Sequence, residues 1–287
     1  MNPARTRFPV AASLLAGLLA PGLPAAADTQ GERLGAMQSD RRERTWRVDE
    51  EKPPLQVVAV VRDFRRAHPD FQRSVNFGLH TGIVAPRLDR AGKPLLSEEA
   101  ASSTDARRQV ESPESFHDWY RSVRGVNMTF RVPLELDHDP TTGLYTFQRN
   151  IDNGDGFFPL DGVGFPEPAT ERYAETEHNF FFTTEVKTAF RYTDPATRPE
   201  RPMKLRFVGD DDVWVFVNNQ LVLDLGGIHS QVEAEVNIDE LAGELGLRNN
   251  GEYSLRVFHA ERHYWQSNFM LQTSIALAAS RDEPLYD

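Results

Sequence analysis

The chain reads as an all-β protein, an antiparallel β-sandwich or barrel with a short helix and loop insertions. About ten short segments are rich in β-branched and aromatic residues, the composition of half-buried and buried strands. Nineteen prolines and nineteen glycines supply turns between them. The segments follow one another without the alternating helices of a parallel α/β sheet. With 287 residues the chain can bury a substantial core without staples, and no internal repeat is visible.

The N-terminus reads as a signal peptide over residues 1–27. Arg5 and Arg7 form a basic start, Phe8 to Leu23 is mainly apolar, and Ala25, Ala26 and Ala27 offer a small-residue cleavage site before Asp28. Pro21 and Pro24 interrupt the stretch, which is too short for a membrane helix. The expected destination is extracellular, secreted or at a cell surface. With no cysteine anywhere, the exported fold uses no disulfides and carries no lipid on a cysteine at the cleavage site. Residues 28–54 are polar and charge-mixed and read as a flexible leader to a domain spanning 55–279.

Order begins at Leu55. Gln56 to Val61 is a compact β-branched run of strand length, followed by Arg62-Asp63-Phe64 and the proline-bearing His68 to Phe71. Residues 89–113 lack a steady apolar face and read as a surface insertion, with a short helix around Glu98 to Gln109. Phe116, Trp119, Tyr120 and Val123 recur at helical spacing, and Ser112 before Pro113 is the expected N-cap.

Strands then dominate. They are expected at Val126 to Leu136, Leu144 to Arg149, His178 to Thr184, Glu185 to Tyr192 and Lys204 to Val208. Val213 to Val217 and Leu221 to Leu225 form a hairpin, with Asn218 and Asn219 supplying the left-handed backbone of a tight turn. Trp214 and Phe216 alternate with valines, so both faces of that strand are apolar and the rings belong in the core. Val232 to Ile238, Tyr253 to Ala260 and Asn268 to Leu277 complete the set, and residues 280–287 form a polar tail. No anchor domain is expected, so attachment to a cell would come through a ligand or partner.

Chemistry concentrates directly before the hairpin. Asp210, Asp211 and Asp212 are adjacent carboxylates that repel one another unless a cation or strong donors answer them. Hard oxygen ligands on a loop fixed by a rigid strand suit calcium, although short acidic loops also cap turns or pair with arginine. The net charge of -11 argues against nucleic acid as a partner and suits cations or neutral ligands. No segment after the signal peptide could span a bilayer as a helix.

Other clusters are weaker. His259, Glu261 and His263 share a strand face, but the order lacks the zincin pattern, and His259 follows Tyr253, Leu255 and Val257 as an inward packed residue. Glu261 and Arg262 are then expected on a rim loop, with Asn268 as a neutral oxygen ligand for the cation. Gly226 and Gly227 permit close backbone approach, and His229 follows in a loop that could border a ligand. Asp152-Asn153-Gly154-Asp155-Gly156 lacks EF-hand spacing and reads as a turn. Tyr264 and Trp265, in a loop, are the aromatic candidates for stacking on a sugar.

Several motifs occurring in order carry a family likeness. Val61 to Phe64 and His68 to Phe71 open it, and Phe157 to Gly162 with His178-Asn179-Phe180 continue it. Phe207 to His229, Ala260 to His263 and Ser267-Asn268-Phe269 complete it. Together they closely resemble the fibro-slime domain, beside the PA14-like β-barrel superfamily, over residues 56–277. Fibro-slime domains occur in exported bacterial proteins and in slime-mould signalling and surface proteins. In sugar-binding PA14-like relatives, an Asp-Asp pair joined by a cis peptide binds a calcium ion that coordinates sugar hydroxyls. The resemblance places that pair at Asp210 and Asp211, while Asp212 stands where relatives often have glycine.

The expectation is a secreted calcium-dependent binding module, carbohydrate-binding in adhesion or extracellular matrix. Its partner would be a glycan or a surface or matrix component. The alternatives are a structural surface protein whose acidic loop completes the fold, and a metal-dependent hydrolase. Hydrolysis is disfavoured because the carboxylates are adjacent rather than set apart as a facing pair, and no nucleophile motif occurs, so no catalytic residue is assigned.

Overall fold

The structure is a computed structural model that describes residues 54–151, 154, 156–165, 178–198, 201–264 and 266–278. The expected signal peptide, the expected leader to residue 53, most of the 152–155 segment read as a turn, Trp265 and the expected polar tail lie outside the described residues.

Among the described residues, ten antiparallel strands form one nearly closed, barrel-like sheet. They are β1 (Leu55–Phe64), β2 (Asn127–Asp139), β3 (Leu144–Arg149), β4 (Phe182–Arg191), β5 (Lys204–Gly209), β6 (Asp212–Val217), β7 (Gln220–Leu225), β8 (Val232–Asn237), β9 (Glu252–Glu261) and β10 (Phe269–Thr273). Their order is β7-β6-β9-β4-β1-β2-β3-β10-β5-β8. The long β2 joins the two halves. Its first ten residues pair with β1, and its last three, Asp137 to Asp139, pair with β3.

Segment 178–192 makes one strand, because Phe182 to Arg191 pairs continuously with β9. The ladder past Thr273 stops early, and Leu277 makes only an isolated bridge to Phe190. The Asn218–Asn219 turn takes positive φ at both residues, 48° and 62°, as a tight hairpin requires.

Two cores explain the burial of β6. Val213, Val215 and Val217 enter the main core with Val57, Val61, Phe207 and Phe269. Trp214 and Phe216 face the other way, into a second cluster with Phe116, Trp119, Tyr120 and Phe258. The helix contributing to that cluster is α2 (Pro113–His117), continued by a 3-10 turn to Tyr120. Ser112 caps it in a reciprocal capping box with Ser115.

The 89–113 segment differs from expectation. Its helix, α1 (Glu98–Ala101), is a single turn, and the remainder docks by polar anchors together with Val110, buried in the second cluster, and Leu96 packed against it. Lys93 reaches inward to the buried Glu185, 2.8 Å from Oε2, and Arg62 meets the same oxygen at 3.0 Å. The segment thereby covers a sheet face instead of lying free on the surface. The third helix, α3 (Ile238–Leu241), is also one turn. No helix among the described residues is long and apolar enough to cross a membrane.

Candidate functional site

The site forms where the chain crosses from β5 to β6, against the end of β9 and the start of β10. Gly209 ends β5 so close to β10 that an added Cβ would stand 2.4 Å from the Asn268 carbonyl. Asp210 and Asp211 make the crossing, joined by a cis peptide, and Asp212 already belongs to β6. All three are buried.

Each aspartate has a different environment. Asp210 is clamped by Asn268, whose backbone amide donates to Oδ1 at 2.8 Å and whose Nδ2 donates to Oδ2 at 2.6 Å. The Asp210 carbonyl accepts from His259 Nε2 at 2.9 Å. Burial lowers the His259 pKa to about 4, so its ring is neutral and its unpartnered Nδ1 carries no proton. His259 is the packed residue that the strand periodicity predicts.

Asp211 accepts only the Arg262 amide, on Oδ2 at 3.1 Å. Its other oxygen makes no hydrogen bond to the described residues. Burial pushes its carboxyl well above the usual range, against the opposing pull of Arg262.

Asp212 is held by the fold. Its Oδ1 accepts the Gly227 amide at 2.6 Å, and its Oδ2 accepts Arg262 Nε at 2.6 Å. Arg262 is fully buried, donates also to the carbonyls of Asp70 and Gln109, and places its guanidinium carbon 4.8 Å from the Trp119 ring centre. Neither the expected ion ligand Asp212 nor the expected rim residue Arg262 faces solvent. Together they neutralise each other inside the fold, so the Asp212 charge needs no cation.

Asn268 is also not placed as an ion ligand. Its side-chain oxygen accepts the Ile151 amide at 2.9 Å, leaving its nitrogen toward Asp210. It orients Asp210 from behind. Glu261 sits fully buried rather than on a rim, and neither of its oxygens has a hydrogen-bond partner. Burial first, then the charges of Asp211 and Asp210, drive its carboxyl well above the usual range. The nearby Ser267 hydroxyl tempers this only slightly, because it is committed to the Phe157 carbonyl at 2.6 Å.

Asp210 and Asp211 open onto a cleft of about 450 Å³. Phe77, Ile228, His229, Ser230, His263 and Gln266 line it with them. His229 and His263 both line the cleft, with His229 Nδ1 2.9 Å from the Ser230 carbonyl and His263 stacked on Tyr264 at 4.6 Å. Tyr264 turns away and packs against the cluster of Phe64, Phe71, Phe180 and Phe181. Phe77, Ser230 and Gln266 escaped the sequence reading; an aromatic residue before Gly78 in an aperiodic segment was the only available signal for the first.

Among the described residues, no three His, Cys, Asp or Glu side chains are gathered so as to hold a metal ion by themselves. Carbonyl oxygens, water or ligand hydroxyls would complete the shell of a cation at Asp210 and Asp211. The surplus of buried carboxylates and the two orphaned oxygens of Glu261 fit such an ion in charge and in donor type.

Residues 204–284 match the PA14 domain family. Protein psiQ of Dictyostelium discoideum is 33% identical over 226 residues, which is 76% of this chain and 20% of that protein. Protein psiR of the same organism is 33% identical over 221 residues, 75% of this chain and 20% of that protein. The chain thus spans about a fifth of the length of these curated relatives. A crystal structure of the PA14 domain of an antifreeze protein overlaps 39% of this chain and 50% of its own, at 10% identity and a TM-score of 0.23, too weak a likeness to carry an argument.

Proposed function

We infer that this chain, which carries a PA14-like domain, is an exported binding module that takes calcium at Asp210 and Asp211 and a hydroxyl-rich ligand, such as a carbohydrate, at the same cleft. Glu261 carries the reading. A buried carboxyl beside the aspartate pair with no hydrogen bond on either oxygen is either protonated, as burial and the neighbouring charges favour, or charged only where a cation answers the local field, and a bound calcium ion would supply that cation. Arg262 pulls on Asp211, but its side chain pairs with Asp212 and makes no hydrogen bond to Glu261.

Asp210 and Asp211 would hold the ion, with Asn268 fixing the first and the Arg262 amide fixing the second. When bound, calcium supplies a hard positive centre with six to eight oxygen positions, more than two carboxylates fill, leaving room for ligand hydroxyls. His229 and His263 border that space. The N-terminal signal pattern supports export, and the acidic surface supports a neutral partner, a glycan or a surface or matrix component, over nucleic acid.

A structural role is the second reading, favoured by the protein donors that already satisfy Asp210 and Asp212. A glycan array probed in calcium and again in EDTA separates the two. Glycan signals that vanish in EDTA are expected; calcium binding with no glycan signal would leave only the structural role.

A further inference from the structure

Phe77 is the most exposed large hydrophobic side chain among the described residues, at 62%, and it lines the Asp210–Asp211 cleft. An apolar ring in water is ordinary on a loose loop, but this loop is pinned on both sides of the ring. Before it, the Asn76 amide donates to the Arg107 carbonyl at 2.9 Å, and the Asn76 carbonyl accepts from Gln109 Nε2 at 2.6 Å. After it, the Gly78 amide donates to the Ile228 carbonyl at 2.8 Å, and the His80 amide donates to the Gly226 carbonyl at 2.6 Å.

The glycine pair exists for this docking. A Cβ at Gly226 would stand 2.6 Å from the His80 carbonyl, and one at Gly227 would stand 2.6 Å from the Gly78 carbonyl. Only residues without side chains let the Phe77 loop close on the segment that also supplies Ile228 and His229 to the cleft. The backbone pinning therefore holds an exposed aromatic side chain in the lining of the same cleft as Asp210 and Asp211.

A cleft lined by both an exposed aromatic ring and carboxylates suits a ligand that carries an apolar face and a polar rim. A pyranose ring has both, with an apolar face of C–H groups and a rim of hydroxyls. We propose that Phe77 is the stacking platform for a pyranoside, lying under its C–H face while the hydroxyls turn toward Asp210 and Asp211. This deepens the carbohydrate reading above and rests on it.

The test uses the full mature chain with calcium and, as probes, methyl β-D-galactopyranoside, methyl α-D-mannopyranoside and the acyclic galactitol, followed by saturation-transfer NMR and titration. At least one pyranoside should bind more tightly than galactitol, which lacks a ring face. Phe77→Ala should weaken that pyranoside by about tenfold or more, whereas Phe77→Trp should keep it. Both variants should retain the wild-type rise in melting temperature with calcium, since Phe77 donates nothing to the ion. Pyranoside binding unchanged in Phe77→Ala would overturn the platform and leave the cation site standing. A wild type that responds to calcium but binds no pyranoside would overturn it as well, and a wild type that ignores calcium would remove the underlying reading too.

Discussion

Arg262 and Asp212 form a fully buried ion pair, Nε to Oδ2 at 2.6 Å, that joins the end of β9 to the start of β6. The same guanidinium reaches the carbonyls of Asp70 and Gln109, so one side chain ties the sheet to the covering segment. Replacing Arg262 with Met would strand a buried carboxylate and leave those carbonyls without their donor. The expected loss is about 3–5 kcal/mol, read by urea denaturation. A loss below about 1 kcal/mol would show that the pair does not anchor the fold.

Asn268→Ala removes one donor from Asp210 and the acceptor of the Ile151 amide. It should weaken calcium about 10–100-fold, because Asp210 then loses its fixed orientation, while the remaining backbone donor keeps the fold assembled. An unaltered calcium titration in this variant would show that Asn268 does not position Asp210.

Gly227→Ala forces a side chain into φ +100° and against the Gly78 carbonyl. The expected cost is about 1–3 kcal/mol, with faster hydrogen exchange at the Gly78 and His80 amides as the loop lifts. Exchange rates like the wild type at those two amides would contradict the docking role of the glycine pair.

His259 is held neutral by burial, with a pKa of about 4 against an ordinary 6.5. The unfolded chain therefore binds a proton that the native state refuses between those values. The stability linked to this group is present above pH 6.5 and is lost as pH falls toward 4, amounting to about 3 kcal/mol. In His259→Phe that component disappears, so the stability gap between variant and wild type should narrow on acidification. A gap independent of pH over this range would contradict the assignment.

Much of this was legible in the sequence. Alternating valines with Trp214 and Phe216 marked β6 as buried on both faces, and Asn218–Asn219 fixed its turn, because both signals are local. The fates of the three aspartates were not local. Whether Asp212 meets a cation or an arginine depends on Arg262, 50 positions away, and on a parity of strands that carries Arg262 inward. Asn268 lies beside Asp210 but not in the ligand role expected of it, because the direction of its amide depends on Ile151. Phe77 had no periodic context, and only the close approach of Gly226 and Gly227 to its loop gives it a role.

The central claim is that Asp211 belongs to a calcium site, and calorimetric titration of calcium into wild type and Asp211→Asn tests it most directly. Asp211 has a carboxyl raised by burial, so its contribution to apo stability is present at low pH and lost as pH rises through the folded pKa. At neutral pH the apo Asn variant should thus fold at least as stably as apo wild type. Wild type should bind one calcium ion per chain and gain about 3 kcal/mol at a hundredfold excess over Kd, reversed by EDTA, and Asp211→Asn should show neither the binding heat nor the gain. A wild type with no binding heat and the same melting temperature in calcium and EDTA would contradict the account.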